Sequence, residues 1–206
     1  MVQLFIDGGG FMWPILIVFI FGFTFVGERI YHLMKGLGAD YNFATQVANA
    51  MNNGGKDAAL SKCKQSIGPV ANLCYAAIEK SNQGAEAAEK SLDQASGIEM
   101  ASLEKNMTWI SLSIAIAPMF GFLGTVWGMI EAFNDIKMAN DISPAVVAGG
   151  ISVALLTTAF GLVVALILQF LQNLVMYIID NQIVTMQKST ALILDSITDQ
   201  NNNVNS

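Results

Sequence analysis

Three stretches of this chain, residues 11–27, 106–130 and 142–179, contain no charged side chain. A bilayer core about 30 Å thick is crossed by roughly 20 apolar residues in a helix. Backbone groups in hydrocarbon must be satisfied within the segment itself, which leaves helices or a closed barrel. No strand-like alternation runs through these stretches, so helices are expected. The first is just long enough with its flanks, and the other two exceed the requirement. The third, at about 1.5 Å per residue, is roughly 55 Å long and should project well beyond the membrane. Composition agrees, at 53% hydrophobic with a mean hydropathy of +0.50. The expected fold is an all-α integral membrane protein with three transmembrane helices and long cytoplasmic helical extensions.

Basic residues orient the spans. Arg29 and Lys35 follow the first, Lys105 precedes the second, and Lys188 follows the third. Lys56, Lys62, Lys64, Lys80 and Lys90 fill the intervening stretch, and only Lys137 lies between the second and third spans. The positive-inside rule then places the N-terminus outside, with the large loop and the C-terminus in the cytoplasm. The net charge of −6, with no basic stripe, argues against nucleic acid. No basic n-region or cleavage site opens the chain, so no cleaved signal peptide is expected.

The expected organisation is an outer N-terminal segment (1–10), a first transmembrane helix (11–30) and a cytoplasmic helical domain (31–105). A second transmembrane helix (106–133) and a short periplasmic loop (134–143) follow. The third transmembrane helix and its extension (144–179), a cytoplasmic C-terminal helix (180–200) and a disordered tail (201–206) complete the chain. Within the cytoplasmic domain, turns are expected at 52–55 (NNGG), at Gly68-Pro69 and at Gly84. The helix after Gly84 is expected to run into the second span without a stop, and Pro118 to kink that span. Ser143-Pro144 reads as a helix start, a cap residue followed by proline. Ile183, Met186, Thr190, Ile193 and Ile197 follow a 3,4,3,4 rhythm, which suits a seam between copies or against the loop helices.

Two faces within the apolar stretches are unlike lipid-facing surface. Pro118, Gly121, Thr125 and Gly128 recur at steps of 3, 4 and 3, and Gly150, Ala154, Thr158, Gly161 and Ala165 at steps of 4, 4, 3 and 4. Each set shares one side of a helix. Gly124 lies beside the first face and Thr157 beside the second. Close helix packing explains aligned small residues. A narrow hydrated path lined by the hydroxyls of Thr125, Thr158 and Thr157 is the functional alternative. A threonine also satisfies itself on its own helix backbone. Gln169, Gln172 and Asn173 add polarity lower on the third helix. Glu131 and Asp135 stand at the outer end of the second, either to attract protons or as ordinary interface charges.

No phosphate loop, nucleophile elbow or metal motif is present, so no enzyme activity, cofactor or metal is expected. Cys63 and Cys74 lack metal-ligand spacing and read as reduced, partly buried thiols. His32, the one histidine, reads as an interfacial or packing residue.

The run AP-x-x-G-x-x-GTVWG-M-I-x-x-F at 117–133 resembles the MotA/TolQ/ExbB proton channel family, as do GIS-x-ALLTTAFGL at 150–162 and Glu28-Arg29 after the first span. The three-span layout resembles the ExbB/TolQ branch. That resemblance implies a homo-oligomer, a pentamer, enclosing helices of an ExbD- or TolR-like single-span partner that carries an intramembrane aspartate. A TonB- or TolA-like protein would stand further along. The resemblance matches Thr125 and Thr158 to pore threonines facing that aspartate. It also implies a location in the bacterial inner membrane and a role in coupling proton flow to partner movement, energising outer-membrane transport or envelope processes. One position departs from the pattern: Val153 stands where the family usually has an acid. The rival reading is a structural scaffold oligomer that conducts nothing. A solute pore would need polar side chains along its length, which these spans lack.

Overall fold

The structure, a computed structural model, describes residues 2–36, 41–139 and 144–205. Among these it contains seven α-helices, one 3₁₀ turn and no strand. The helices are α1 (Val2–Asp7), α2 (Met12–Gly36), α3 (Tyr41–Gln65), α4 (Pro69–Lys80), α5 (Ala85–Leu103), α6 (Met107–Ala139) and α7 (Pro144–Asn205). The 3₁₀ turn is Ser81–Gln83. Three helices are long and apolar enough to cross a membrane. Only 22% to 28% of each apolar window is buried by the chain itself, so lipid or further protein must cover the remainder.

The helices divide into two compact units, one of residues 1–28 and 106–175, the other of 29–105 and 176–206. In the first, Ile15 of α2, Ala117 of α6, and Val164 and Leu168 of α7 form a core. Val18, Phe19, Ile114 and Phe120 pack around it. Gly22 is what lets α2 come this close, because a Cβ there would lie 2.8 Å from Leu168 Cδ1 and 2.9 Å from Ser113 Cβ. The outward residues, among them Ile17, Phe23, Met119, Phe122, Leu155, Leu166 and Phe170, are large, apolar and exposed. Such a surface is stable in lipid or against another apolar chain.

The second unit has a larger core. Ala44, Val47 and Met51 of α3, Val70, Leu73 and Ile78 of α4, and Leu92 of α5 close over Met186, Ile193 and Ile197 of α7. The seam on α7 therefore faces the loop helices of the same chain. Its buried line is shifted from the expected one: Gln182 and Ser189 are buried, whereas Ile183 and Thr190 are half-buried. Gln182 Nε2 donates to the carbonyl of Leu33 at 3.1 Å. Arg29 is also buried, and its guanidinium donates to the Ser102 carbonyl at 3.3 Å.

The expected breaks are present at Gly55 (φ 75°), Gly68 (φ 153°) and Gly84 (φ 106°). Three expectations are corrected. The helix before the second span does stop: α5 ends at Leu103, and Asn106 takes a left-handed φ of 65° before α6 begins. Asparagine tolerates that conformation better than other residues with a Cβ, and its Nδ2 donates to Glu28 Oε2 at 2.8 Å. Residues 134–139, assigned to a loop, belong to α6, since nothing in NDIKMA breaks a helix. Residues 201–205, assigned to a disordered tail, extend α7, because adding residues to an existing helix avoids the nucleation cost. α6 runs through Pro118 as one helix with the proline inside it. The cap at Ser143, the rest of the loop at 140–143 and Ser206 lie outside the described residues.

Cys63 and Cys74 are free, buried and joined by a side-chain hydrogen bond in the second unit's core. That bond, and then burial, push the Cys74 thiol well above its ordinary value, while the same bond lowers Cys63. The pair therefore retains at least one proton at any physiological pH, and burial is what shields Cys63. Neither thiol of the native chain is expected to react with a water-soluble aromatic disulfide at pH 7, and denaturation should release both. Rapid native reaction of either would show that this core opens.

Candidate functional site

The site is assembled where α6 and α7 approach each other through glycine. A Cβ on Gly161 would lie 2.7 Å from the carbonyl oxygen of Ala117, and one on Gly121 would lie 3.0 Å from that of Thr157. One on Gly128 would meet the Ala154 nitrogen at 3.2 Å, and one on Gly124 would meet Thr157 Oγ at 2.7 Å. These neighbours are mostly backbone atoms, which cannot swing aside. The glycine faces read from the sequence as surfaces for close helix packing are thus used within one chain, to bring two backbones together.

This approach delivers two hydroxyls to one point. Thr125 Oγ and Thr158 Oγ are hydrogen-bonded to each other. Thr158 Oγ also lies 3.1 Å from the Gly121 carbonyl, and Thr125 Oγ lies 3.2 Å from both the Gly121 and the Ala154 carbonyls. Each hydroxyl has one proton to donate, so two protons are distributed over these four contacts. Rotation about either Cβ–Oγ bond exchanges donor for acceptor without moving the backbone. The pair is half-buried, and one helical turn away stand the exposed Phe122, Leu155 and Leu162. It can therefore present either a donor or an acceptor to a group outside the chain, in surroundings with no charge of their own.

Thr157 is not part of this pair. Its side chain is 1% exposed, points to a different side of α7, and donates to the Ala154 carbonyl at 2.8 Å. That same carbonyl also accepts from Thr125, so Thr157 and Thr125 share an acceptor. Sequence spacing could not show the part played by the Ala154 carbonyl, because it depends on how closely α6 and α7 approach. Lower on the same helices, Gln172 Nε2 donates to Ser111 Oγ at 2.6 Å and Gln169 Nε2 to Asn173 Oδ1 at 3.2 Å. Among the described residues, no cluster of His, Cys, Asp and Glu is arranged to hold a metal ion.

Comparison with known proteins adds independent weight. A biopolymer transport protein ExbB homolog of Methanothermobacter thermautotrophicus is 30% identical over 183 residues, 88% of this chain and 65% of that protein. The Tol-Pal system protein TolQ of Haemophilus influenzae is 34% identical over 77 residues, 37% of this chain and 34% of its own length. The biopolymer transport protein ExbB of Salmonella typhimurium is 50% identical over 52 residues, covering 25% of this chain and 21% of that protein. The chain thus spans about two thirds or less of these relatives. Residues 65–188, which include the threonine pair and the glycine contacts that create it, match the MotA/TolQ/ExbB proton channel family, and the chain belongs to that family.

Proposed function

We propose that this protein is the channel-forming subunit of an inner-membrane complex driven by the proton-motive force, coupling proton flow to movement of an ExbD- or TolR-like partner. The Thr125–Thr158 pair carries the reading. It is an exchangeable hydroxyl pair on an otherwise apolar surface of α6 and α7, and residues 106–130 and 142–179 contain no titratable carboxylate, histidine or lysine. Threonine does not take up or release a proton near neutral pH. A carboxylic acid on a helix seated against this surface would supply the missing titration, and either hydroxyl could donate to it when ionised or accept from it when protonated. An ionised acid at mid-membrane costs at least about 2.5–3.5 kcal/mol on insertion scales, which the pair would offset. Each proton crossing 100 mV releases about 2.3 kcal/mol, so a few protons suffice for a substantial step of the partner.

The exposed apolar faces support a homo-oligomer around the partner helices, and the number five comes from the family resemblance alone. Charge distribution supports a periplasmic N-terminus and a cytoplasmic C-terminus. The work would go to outer-membrane transport or envelope processes, with a TonB- or TolA-like protein as the next element. The scaffold reading has one observation in its favour, since the glycine contacts alone would serve a rigid non-conducting assembly equally well.

Reconstitution separates the two. In liposomes with an imposed potential, the subunit alone should pass no more protons than empty vesicles, and the complex with its single-span partner should conduct. Changing the partner's intramembrane aspartate to asparagine should return flux to background. Robust flux from the subunit alone would overturn the borrowed carboxylate, and no flux from the complex would favour the scaffold.

A further inference from the structure

A cavity of about 380 Å³ lies in the first unit, between the glycine turn at 8–10 and the sides of α6 and α7. Trp127 and Glu131 of α6 and Val153 and Thr157 of α7 contribute to its walls. Gly9, at a φ of 72°, stands across from Val153, with a notional Cβ 3.4 Å from Val153 Cγ1. Glu131 is exposed, and Trp127 Nε1 donates to its Oε1 at 2.8 Å, which holds the carboxylate beside this space. At the inner end is Thr157, 1% exposed, whose one proton goes to the Ala154 carbonyl and whose lone pairs call for a donor.

We propose that this cavity is an aqueous inlet inside a single subunit, bringing outside water to Thr157, with Glu131 concentrating cations, hydronium among them. At about 30 Å³ per molecule the space holds several waters. Most of the wall is apolar, so Glu131 at its exposed edge and the lone pairs of Thr157 are the groups that would hold this water. The inlet ends one carbonyl short of the hydroxyl pair, because Ala154 accepts from Thr157 on one side and Thr125 on the other. A carbonyl has no proton to pass on, so this junction positions the pair and is not a wire. The inlet's role in conduction rests on the channel reading above, but its hydration does not.

Thiol labelling of the full chain in proteoliposomes tests the inlet. Val153→Cys should react with both the membrane-impermeant 2-(trimethylammonium)ethyl methanethiosulfonate and its 2-sulfonatoethyl analogue, because only an ionised thiol reacts. The unsubstituted chain, with Cys63 and Cys74 buried, sets the background. Normalised to each reagent's rate with a small thiol, the cation should be favoured by about tenfold, the ratio expected for one carboxylate at about 6 Å in water. Glu131→Gln should abolish that preference. Phe11→Cys, at a partly buried position of the same wall where the substitution removes bulk, is the second position should Val153→Cys misfold. Labelling of these cysteines by N-ethylmaleimide only after denaturation, and by neither charged reagent in the native chain, means a dry cavity and overturns the inlet. A preference that survives Glu131→Gln overturns the role of Glu131. A dry cavity with proton flux intact in the complex removes the inlet and leaves the channel. A wet, cation-selective cavity in a complex without flux supports the inlet and removes the channel.

Discussion

Gly161→Leu is expected to abolish the folded subunit. Its first added carbon would lie 2.7 Å from the Ala117 carbonyl oxygen and 3.2 Å from Gly121 Cα, both backbone atoms of α6. The two helices would have to separate by the better part of an ångström before any larger side chain found room. Overpacking of this kind typically costs 1–3 kcal/mol for small additions. Gly161→Ala should therefore fold with clearly reduced thermal stability in detergent, and Gly161→Leu should yield aggregated or degraded chain. Gly97→Ala is the matched control. That position is exposed within α5 and a Cβ there meets nothing within 4 Å, so alanine should stabilise by about 0.5–1 kcal/mol. If the glycine face served contacts between copies instead, Gly161→Leu would give a well-folded monomer, and native mass measurement of the purified chain separates the two results.

Thr158→Val should show the reverse pattern, with a normal fold and impaired coupling. Valine keeps the shape but deletes the hydroxyl that contacts Gly121 and Thr125. Intramembrane side-chain hydrogen bonds average only about 0.6 kcal/mol, so expression and oligomer size should be close to those of the unsubstituted protein. A hydrogen bond to a charged acid is worth more, about 1.5–3 kcal/mol, and each 1.36 kcal/mol is tenfold in rate. Proton flux through the complex should accordingly fall roughly tenfold to a hundredfold. Thr125→Val should do the same, and the double variant should be little worse than either single one, because the two hydroxyls act as a unit. Full flux in both single variants would reject the pair as part of the path.

Much of this molecule is legible before any coordinates are known. Three charge-free stretches mark three helices long and apolar enough to cross a membrane, because charge and unpaired backbone are both costly in hydrocarbon. The glycines at 55, 68 and 84 mark real helix breaks for a local reason, since a positive φ strains any residue with a Cβ. Steps of three and four placed Thr125 and Thr158 on small-residue faces, and the motifs around them pointed to the family.

Local rules failed where an outcome depended on a partner element. Nothing in the sequence shows that Asn106 alone would interrupt an otherwise helical run, because the left-handed turn is held in part by Glu28, which is 78 positions away. Nor does spacing say which helix meets a glycine face, and here it is a neighbour in the same chain. Thr157 and Thr158 are adjacent in sequence, yet about 100° of helix separates them. Only the approach of α6 puts one in the hydroxyl pair and the other at the end of a cavity. The place of the glycine run 8–10 as one wall of that cavity, with Glu131 and Val153 on the other sides, follows from tertiary packing alone. Helix periodicity encodes which residues share a face, whereas which faces meet is decided by the packing of all of them together.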